Sequence, residues 1–103
     1  MVKVSVLYPY KEGGRFDMDY YMKSHIPMVQ RKLGTACKEV TVEQGISGAD
    51  PATKPAYTLT AHMLFDSADA FRAAFGPHAA EILADIANYT EIQPVVQVSD
   101  VIL

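Results

Sequence analysis

Hydrophobic and polar residues alternate along four stretches of the chain, and this period of two is typical of strands with one buried face. The stretches are VKVSVLYP (2–9), CKEVTVEQ (37–44), AYTLTAHMLFD (56–66) and IQPVVQVSDVIL (92–103). Pro94 lies near the start of the last stretch, and it indicates an edge strand because proline donates no hydrogen bond to a sheet ladder.

Two other stretches have the spacing of amphipathic helices. The first runs from Asp17, a good N-cap, to Gly34, a residue that commonly ends helices. Its predicted buried stripe is Met18, Met22, Val29 and Leu33. The second begins at the N-cap Ser67 and is interrupted at Gly76-Pro77. Its predicted core stripe is Ala79, Ile82, Leu83 and Ile86.

The resulting order β-α-β-β-α-β is that of the ferredoxin-like α+β fold. We expect one antiparallel sheet with both helices on one face, strands one and three in the centre, and a single domain over residues 1–103. The face without helices should be mixed in polarity, because it carries Lys3, Ser5, Leu7, Thr58, Thr60, His62, Leu64, Val95 and Gln97. Either this face is covered by a second copy, giving a homodimeric α+β barrel, or it is the outer surface of a monomer; its apolar part favours the homodimer.

Composition narrows the class of protein. The net charge is −3 at pH 7 and the pI is about 5.5, so we expect neither a nucleic-acid partner nor a membrane partner. Cys37 is the only cysteine, which argues against disulfides and thiolate metal clusters. The opening residues read as a strand rather than a signal peptide, so the expected location is cytoplasmic. No nucleotide or flavin motif is present in the sequence, and no cofactor is expected.

The stretch YYMKSHIPMVQ (20–30) places a proline inside the first predicted helix, two residues after His25. Pro27 has no N–H, and Ile26 before it is expected to leave α geometry, so we predict a break that starts a new helical segment at Pro27. Tyr21 lies four residues before His25, so the phenol and the imidazole can share one side of the helix. If that side faces the sheet, both groups enter an apolar cleft. The alternative is a structural histidine bonded to a backbone carbonyl that the break frees.

Four segments resemble the EthD family, which is named for ethyl tert-butyl ether degradation. They are YP (8–9), FDMDYYMKSHIPMV (16–29), FGPHAAEILADIANYT (75–90) and IQPVVQVSDV (92–101), and the tyrosine pair followed by His-x-Pro is the most specific element. The resemblance implies a dimeric α+β barrel, a cavity between helices and sheet, and a cytoplasmic enzyme or accessory protein. Related barrel families include cofactor-independent monooxygenases and muconolactone isomerase-like proteins.

These observations select His25 and Tyr21 as candidate catalytic residues, and Tyr8, Tyr20 and His78 as candidate ligand-binding residues. Imidazole titrates near neutral pH and therefore suits general acid–base catalysis. For Tyr20 the alternative is a core position with its hydroxyl at the rim.

Three other groups have ordinary structural interpretations. His78, Glu81 and Asp85 fall on one helix face, which suits a solvated stripe better than a metal site. His62 is interpreted as an interface histidine on the open sheet face. Cys37 is interpreted as a small buried hydrophobic residue.

The sequence therefore predicts a cofactor-independent enzyme, of oxidoreductase (monooxygenase) or isomerase type, that acts on a small hydrophobic substrate with His25 as the proton-transfer group. One alternative is a non-catalytic accessory or ligand-binding dimer of a degradation pathway. Another is a purely structural dimer whose cleft is filled by methionine side chains. The Gly- and Pro-containing loop 45–56 permits either a fixed arch or a moving lid.

Overall fold

The computed structural model describes residues 1–103 as a four-stranded sheet packed against two helical runs. The strands are β1 (Val2–Pro9), β2 (Glu39–Gln44), β3 (Tyr57–Phe65) and β4 (Val95–Asp100). The first helical run contains α1 (Met18–Tyr20), a π-helical turn (Tyr21–His25), α2 (Ile26–Leu33) and a 3₁₀ turn (Gly34–Ala36). The second contains α3 (Ala68–Phe75), a 3₁₀ turn (Gly76–His78), α4 (Ala79–Asp85) and a 3₁₀ turn (Ile86–Asn88).

The sheet has the order β2-β3-β1-β4 and every pairing is antiparallel. The α+β class, the antiparallel sheet and the central positions of the first and third strands are thereby confirmed. β4, which follows Pro94, is an edge strand as predicted. Two predicted strands were too long, because β2 starts at Glu39 rather than Cys37 and β4 starts at Val95 rather than Ile92.

Both helical runs pack on the same face of the sheet and form two clusters of buried side chains with it. One cluster is rich in tyrosine and contains Tyr8, Tyr21, Ile26, Leu59, Ala61, Tyr89 and Ile92. The other is mostly aliphatic and contains Val2, Val4, Val29, Leu33, Phe65 and Ile82. We call these the tyrosine cluster and the aliphatic cluster. Their division along the sheet gives the interior one polar end and one apolar end.

The first helical run starts at the predicted cap, because the Asp17 carboxylate accepts a hydrogen bond from the backbone N–H of Tyr20 at 3.0 Å. The expectation that Ile26 leaves helical geometry is wrong, since its φ and ψ are −60° and −46°. The chain instead forms a wide turn in which the Ile26 N–H donates to the Tyr21 carbonyl, five residues back. α2 then begins with Pro27 in its first turn, where no N–H is needed.

The second helical run also has its predicted cap, since Ser67 Oγ accepts from the Ala70 N–H at 3.0 Å. Two residues of the predicted buried stripes are on the surface. Leu83 on α4 is 54% exposed and Met22 on the π-helical turn is 47% exposed. Met22 lies in the π-helical turn, whose buried residues are Tyr21 and His25. Leu83 directly follows the buried Ile82 on α4 and lies at the edge of the buried stripe.

The opposite face of the sheet carries no helix, and its composition is the mixed one that was predicted. Leu7 lies beside Thr60 and Val95, Ser5 lies beside His62 and Gln97, and Lys3 lies beside Leu64 and Ser99. Across β3 and β2, His62 lies beside Thr41. No helix in the chain is both long enough and apolar enough to cross a lipid bilayer.

The Asp17 cap fixes where the first helical run starts, and hence which residues of the run face the sheet. We expect Asp17→Ala to lower the free energy of unfolding by about 1 kcal/mol, because one N-terminal N–H loses its partner. The control is Asp19→Ala, which removes an exposed ion pair with Lys23 and a charge in the first turn but no cap, and should cost less than about 0.5 kcal/mol. Urea unfolding of the two variants measures the difference. Equal losses would contradict the assignment of Asp17 as the cap.

Candidate functional site

An enclosed cavity of about 270 Å³ lies between the helical runs and the sheet, where the tyrosine cluster meets the aliphatic cluster. Its walls are hydrophobic apart from the imidazole of His25 and the phenols of Tyr8 and Tyr21. The exposed residues of its lining are Leu83 on α4 and Val96 on β4, which are 54% and 55% exposed. The cavity therefore opens between α4 and the edge strand. An apolar cavity with a few convergent polar groups is the usual form of a small-molecule site.

The π-helical turn delivers two polar side chains to this cavity. Tyr21 and His25, the first and last residues of the turn, are buried, whereas Met22, Lys23 and Ser24 between them are exposed. The two rings stack nearly parallel, with centroids 5.4 Å apart and an interplanar angle of 20°. The shared orientation that was predicted from their spacing is therefore present in the structure.

The imidazole of His25 is oriented by a hydrogen bond to a carboxylate on the second helical run. Nδ1 of His25 lies 2.8 Å from Oδ2 of Asp85, and their side chains are only 7% and 16% exposed. The other carboxylate oxygen, Oδ1, accepts from the Tyr20 hydroxyl at 2.6 Å and from Asn88 Nδ2 at 2.9 Å. Because an ionised carboxylate can only accept, Nδ1 of His25 carries a proton, and in the neutral imidazole Nε2 then keeps its lone pair.

The free nitrogen of His25 has one weak partner within the chain. Its Nε2 lies 3.4 Å from the Tyr89 hydroxyl, beyond the usual range of about 2.7–3.2 Å for such a bond. The Tyr89 hydroxyl is in turn 2.6 Å from the Tyr8 hydroxyl. A ligand in the cavity can therefore compete for Nε2 without breaking a short hydrogen bond.

The Tyr21 hydroxyl makes no hydrogen bond within the chain, and its oxygen keeps some accessible surface, because no fully buried side-chain oxygen lacks a partner. The whole residue is 2% exposed, and it is part of the cavity lining. Its neighbours are aromatic rings, with Phe16 and Tyr89 at centroid distances of 5.3 and 5.0 Å. Buried polar groups usually have partners, so this free hydroxyl suits contact with a ligand.

Burial controls the titration of the site. It lowers the pKa of His25 below its ordinary value near 6.5, and the hydrogen bond and charge of Asp85 oppose this effect only in part. Burial acts to raise the pKa of Asp85, but hydrogen bonds from Tyr20, Asn88 and His25 outweigh it and the pKa is lowered. Burial also raises the pKa of Tyr21 and Tyr89. At neutral pH the site therefore contains a neutral imidazole, an ionised carboxylate and neutral phenols.

The structure brings together three of the five predicted site residues at the cavity, namely Tyr8, Tyr21 and His25. Tyr20 lies outside the cavity lining and contacts the site through Asp85. His78 is half-buried and also lies outside the lining. The 45–56 loop contributes no residue to the lining either.

The predicted polar stripe on the last helix is divided between two partners. Glu81 points outward and pairs with Lys32 at 3.1 Å, whereas Asp85 turns inward to His25. On the open face of the sheet, His62 Nδ1 is 2.8 Å from Ser5 Oγ and its Nε2 is 3.4 Å from Glu43. This is the face on which His62 was predicted to lie.

Sequence reasoning missed Asp85 as the partner of His25 and did not consider Tyr89. Helical spacing contained a signal for both, since Asp85 follows the buried Ile82 by three residues and Tyr89 follows Asp85 by four. A polar residue at an inward-facing helical position needs a hydrogen-bond partner. For Asp85, the histidine of the first helical run could have been proposed as that partner.

Comparison with known proteins gives consistent matches over nearly the whole chain. The family model described as EthD domain matches residues 15–93. The crystal structure of an EthD-like protein from Ralstonia eutropha JMP134 is 50% identical, with a TM-score of 0.94, and the match covers 99% of this chain and 92% of that one. No curated protein matches the sequence.

More distant solved structures share the fold. An ethyl tert-butyl ether degradation family protein from Bacillus halodurans C-125 is 17% identical, with a TM-score of 0.70 and coverage of 99% of both chains. A dimeric protein of unknown function and ferredoxin-like fold from Bacteroides fragilis is 14% identical, with a TM-score of 0.60 and coverage of 97% of this chain and 95% of that one. At these identities the likeness concerns the fold.

The Asp85 carboxylate favours the charged form of His25, so its removal should make the imidazole still harder to protonate. We expect Asp85→Asn to lower the pKa of His25 further, measured by NMR titration of the imidazole resonances. The control is Glu81→Gln, one helical turn earlier, whose carboxylate pairs with Lys32 instead. A His25 pKa that is unchanged or raised in Asp85→Asn would contradict the assigned contact.

Proposed function

This chain belongs to the EthD family, and we propose that it is a small cytoplasmic enzyme that acts without a cofactor on a small hydrophobic substrate, with His25 as the proton-transfer group. One observation carries the proposal: an imidazole nitrogen whose single contact within the chain is a long one of 3.4 Å to Tyr89, and the Tyr21 hydroxyl without a hydrogen bond, belong to residues that border the same apolar cavity. Such a pair suits the abstraction of a proton beside a carbonyl group, because one group takes the proton and the other stabilises the developing oxyanion.

The proposed reaction begins with a ketone whose acidic C–H faces Nε2 of His25. Nε2 takes the proton, the C–H electron pair forms the enolate, and the Tyr21 O–H donates a hydrogen bond to the oxygen. The resulting imidazolium is stabilised by the Asp85 carboxylate at 2.8 Å. Where the ketone carries a β,γ double bond, the intermediate is a dienolate, and return of the same proton to its γ carbon completes an isomerisation to the conjugated ketone and restores neutral His25. Atoms and charge balance without an added oxidant.

The other predicted site residues take supporting roles in this proposal. Tyr8 forms part of the cavity wall and reaches His25 through the Tyr89 hydroxyl. Tyr20 acts as a positioning residue, because its hydroxyl and the Asn88 amide hold the Asp85 carboxylate that orients the imidazole. His78 remains a candidate ligand contact only if the substrate extends beyond the cavity.

We further propose a homodimer in which the open sheet faces of two copies meet. Support comes from the half-buried Leu7 and Leu64 and the exposed Val95 on that face. A face of this mixed character, without helices, suits contact with an identical face. The Bacteroides fragilis protein of the same fold is described as dimeric.

A ligand-binding protein without catalysis is the second candidate. The observation that favours it is the nearly uniform hydrophobic wall of the cavity, which would hold an apolar ligand without using His25. In that case the Asp85–His25 pair acts only as a structural tie between the two helical runs.

Exchange of acidic C–H protons with D₂O tests the catalytic proposal. With a panel of cyclic ketones and diketones, we expect the wild-type protein to accelerate deuterium uptake. His25→Gln should lower the rate by about 10²–10⁴-fold, and Tyr21→Phe by about 10²–10³-fold. His62→Gln is the control, because His62 lies on the other face of the sheet. An oxygen electrode run in parallel identifies the oxidative alternative as O₂ uptake.

Unchanged exchange in a folded His25→Gln protein would remove His25 from the mechanism. A ligand that binds the wild-type cavity while no member of the panel exchanges faster would favour the second candidate.

Light scattering after size exclusion tests the dimer. We expect a mass of about twice the 11.3 kDa of one chain for the wild type. Leu64→Glu should give monomers, because it places two like charges in the proposed interface. Met22→Glu is the control, since Met22 is an exposed hydrophobic residue on the helical side. A monomeric wild type, or a Leu64→Glu protein that stays dimeric, would contradict the proposed interface.

A further inference from the structure

The polar end of the cavity offers one hydrogen-bond acceptor, one donor and no positive charge, since the Tyr8 hydroxyl is already bonded to that of Tyr89 at 2.6 Å. The acceptor is Nε2 of His25, whose Nδ1–H is committed to Asp85 at 2.8 Å. The donor is the hydroxyl of Tyr21, a lining residue whose hydroxyl makes no hydrogen bond within the chain. No lysine or arginine is part of the lining. These groups determine which polar group of a ligand can form hydrogen bonds at this end of the cavity.

A carboxylate or phosphate is a poor match for that end. Both groups only accept hydrogen bonds at neutral pH, so one of their oxygens would face the lone pair of Nε2. The Asp85 charge directly behind the imidazole adds like-charge repulsion. An anion would also lose its hydration in a cavity without a cation to replace it. Each of these effects opposes the binding of anions.

A neutral hydroxyl matches both groups at once. Its O–H donates to Nε2 of His25, and its oxygen accepts from the O–H of Tyr21. Phenols and enols have this donor–acceptor character, and their O–H is acidic enough to make a strong bond to an imidazole. The oxygen of a ketone can accept a hydrogen bond from Tyr21 but has no proton to donate to Nε2 of His25. Only the enol form of the ketone makes both hydrogen bonds.

The rest of the cavity sets the size and polarity of the ligand skeleton. The volume of about 270 Å³ is just below the range of about 300–1,000 Å³ typical of ligand sites, which suits one ring with a short substituent. Beyond the tyrosine cluster the lining comes from the aliphatic cluster, and the mouth is formed by Leu83 and Val96. The skeleton therefore has to be apolar.

We propose that the ligand is an uncharged molecule of about one ring in size that carries a single phenolic or enolic hydroxyl on an otherwise apolar skeleton, and that carboxylates and phosphates are excluded. The inference rests on the proposed function of His25 and Tyr21: the site is complementary to the enol form of the ketone in that reaction, and a phenol is a stable analogue of that enol. The hydroxyl lies between Nε2 of His25 and the Tyr21 O–H, with the skeleton toward the aliphatic cluster.

Isothermal calorimetry with two matched probes tests the inference. para-Propylphenol and para-propylbenzoate share one skeleton, but at neutral pH the first is uncharged and the second is ionised. We expect the phenol to bind at least about tenfold more tightly than the benzoate. Tyr21→Phe should weaken the phenol by about fivefold, because one hydrogen bond is lost. Tyr10→Phe is the control, because it removes an exposed hydroxyl that is bonded to Glu12, and it should leave the affinity for the phenol unchanged.

The location of the phenol is established in two ways. Ala61→Phe fills the cavity from the sheet side and should abolish binding. In the wild-type protein, NMR of the His25 imidazole should show a shift of Nε2 on phenol addition, which requires no variant to fold. Phenol binding without a shift of the His25 resonance would overturn the inference.

Other results of these experiments distinguish a failure of the proposed ligand class from a failure of the proposed catalytic role of His25. Equal or tighter binding of the benzoate, or no binding of the phenol, overturns the proposed ligand class even if ketone exchange still depends on His25. Phenol binding at His25 with no catalysed exchange leaves the ligand class standing and overturns the catalytic role.

Discussion

The hydrogen bond between Nδ1 of His25 and the Asp85 carboxylate is the contact on which the rest of the site depends. It joins the two helical runs beneath the cavity, at 2.8 Å and with little solvent access. The carboxylate fixes the tautomer, so the free lone pair is on Nε2, and it stabilises the charge that proton transfer would create. Tyr20 and Asn88 hold the carboxylate in place, so it does not have to be reoriented during the reaction.

Local sequence features place the two halves of this contact. The Asp17 cap starts the first helical run, and the wide turn before Pro27 carries both Tyr21 and His25 to the buried side. π turns of this kind are rare, and they occur frequently at functional sites. On the other run, the buried Ile82 and the 3₁₀ turn after Asp85 leave the carboxylate facing inward. The apolar walls then make the enclosed interactions stronger than they would be in water.

The fold could be predicted from the sequence, whereas the site could be predicted only in part. The order of the elements follows from the alternation of hydrophobic and polar residues along four stretches and from two helices with capping residues. Few sheet topologies are compatible with a β-α-β-β-α-β order. The partner of His25 lies 60 residues away in sequence, and its identity depends on how the last helix docks. The periodicity of that helix placed Leu83 in the core and Asp85 in a solvated stripe, whereas Leu83 lies at the exposed edge of the buried face and Asp85 turns inward to His25. The rule that proline disfavours helical geometry before it failed at Ile26, whose φ and ψ are helical directly before Pro27.

The central claim is that His25 presents an unprotonated Nε2 to an enclosed cavity because Asp85 holds the proton on Nδ1. Long-range ¹⁵N–¹H correlation spectra of the imidazole at neutral pH measure this directly, since the two nitrogens have different shifts and couplings in each tautomer. The account predicts a proton on Nδ1 and none on Nε2. A proton on Nε2, or on both nitrogens, would contradict it.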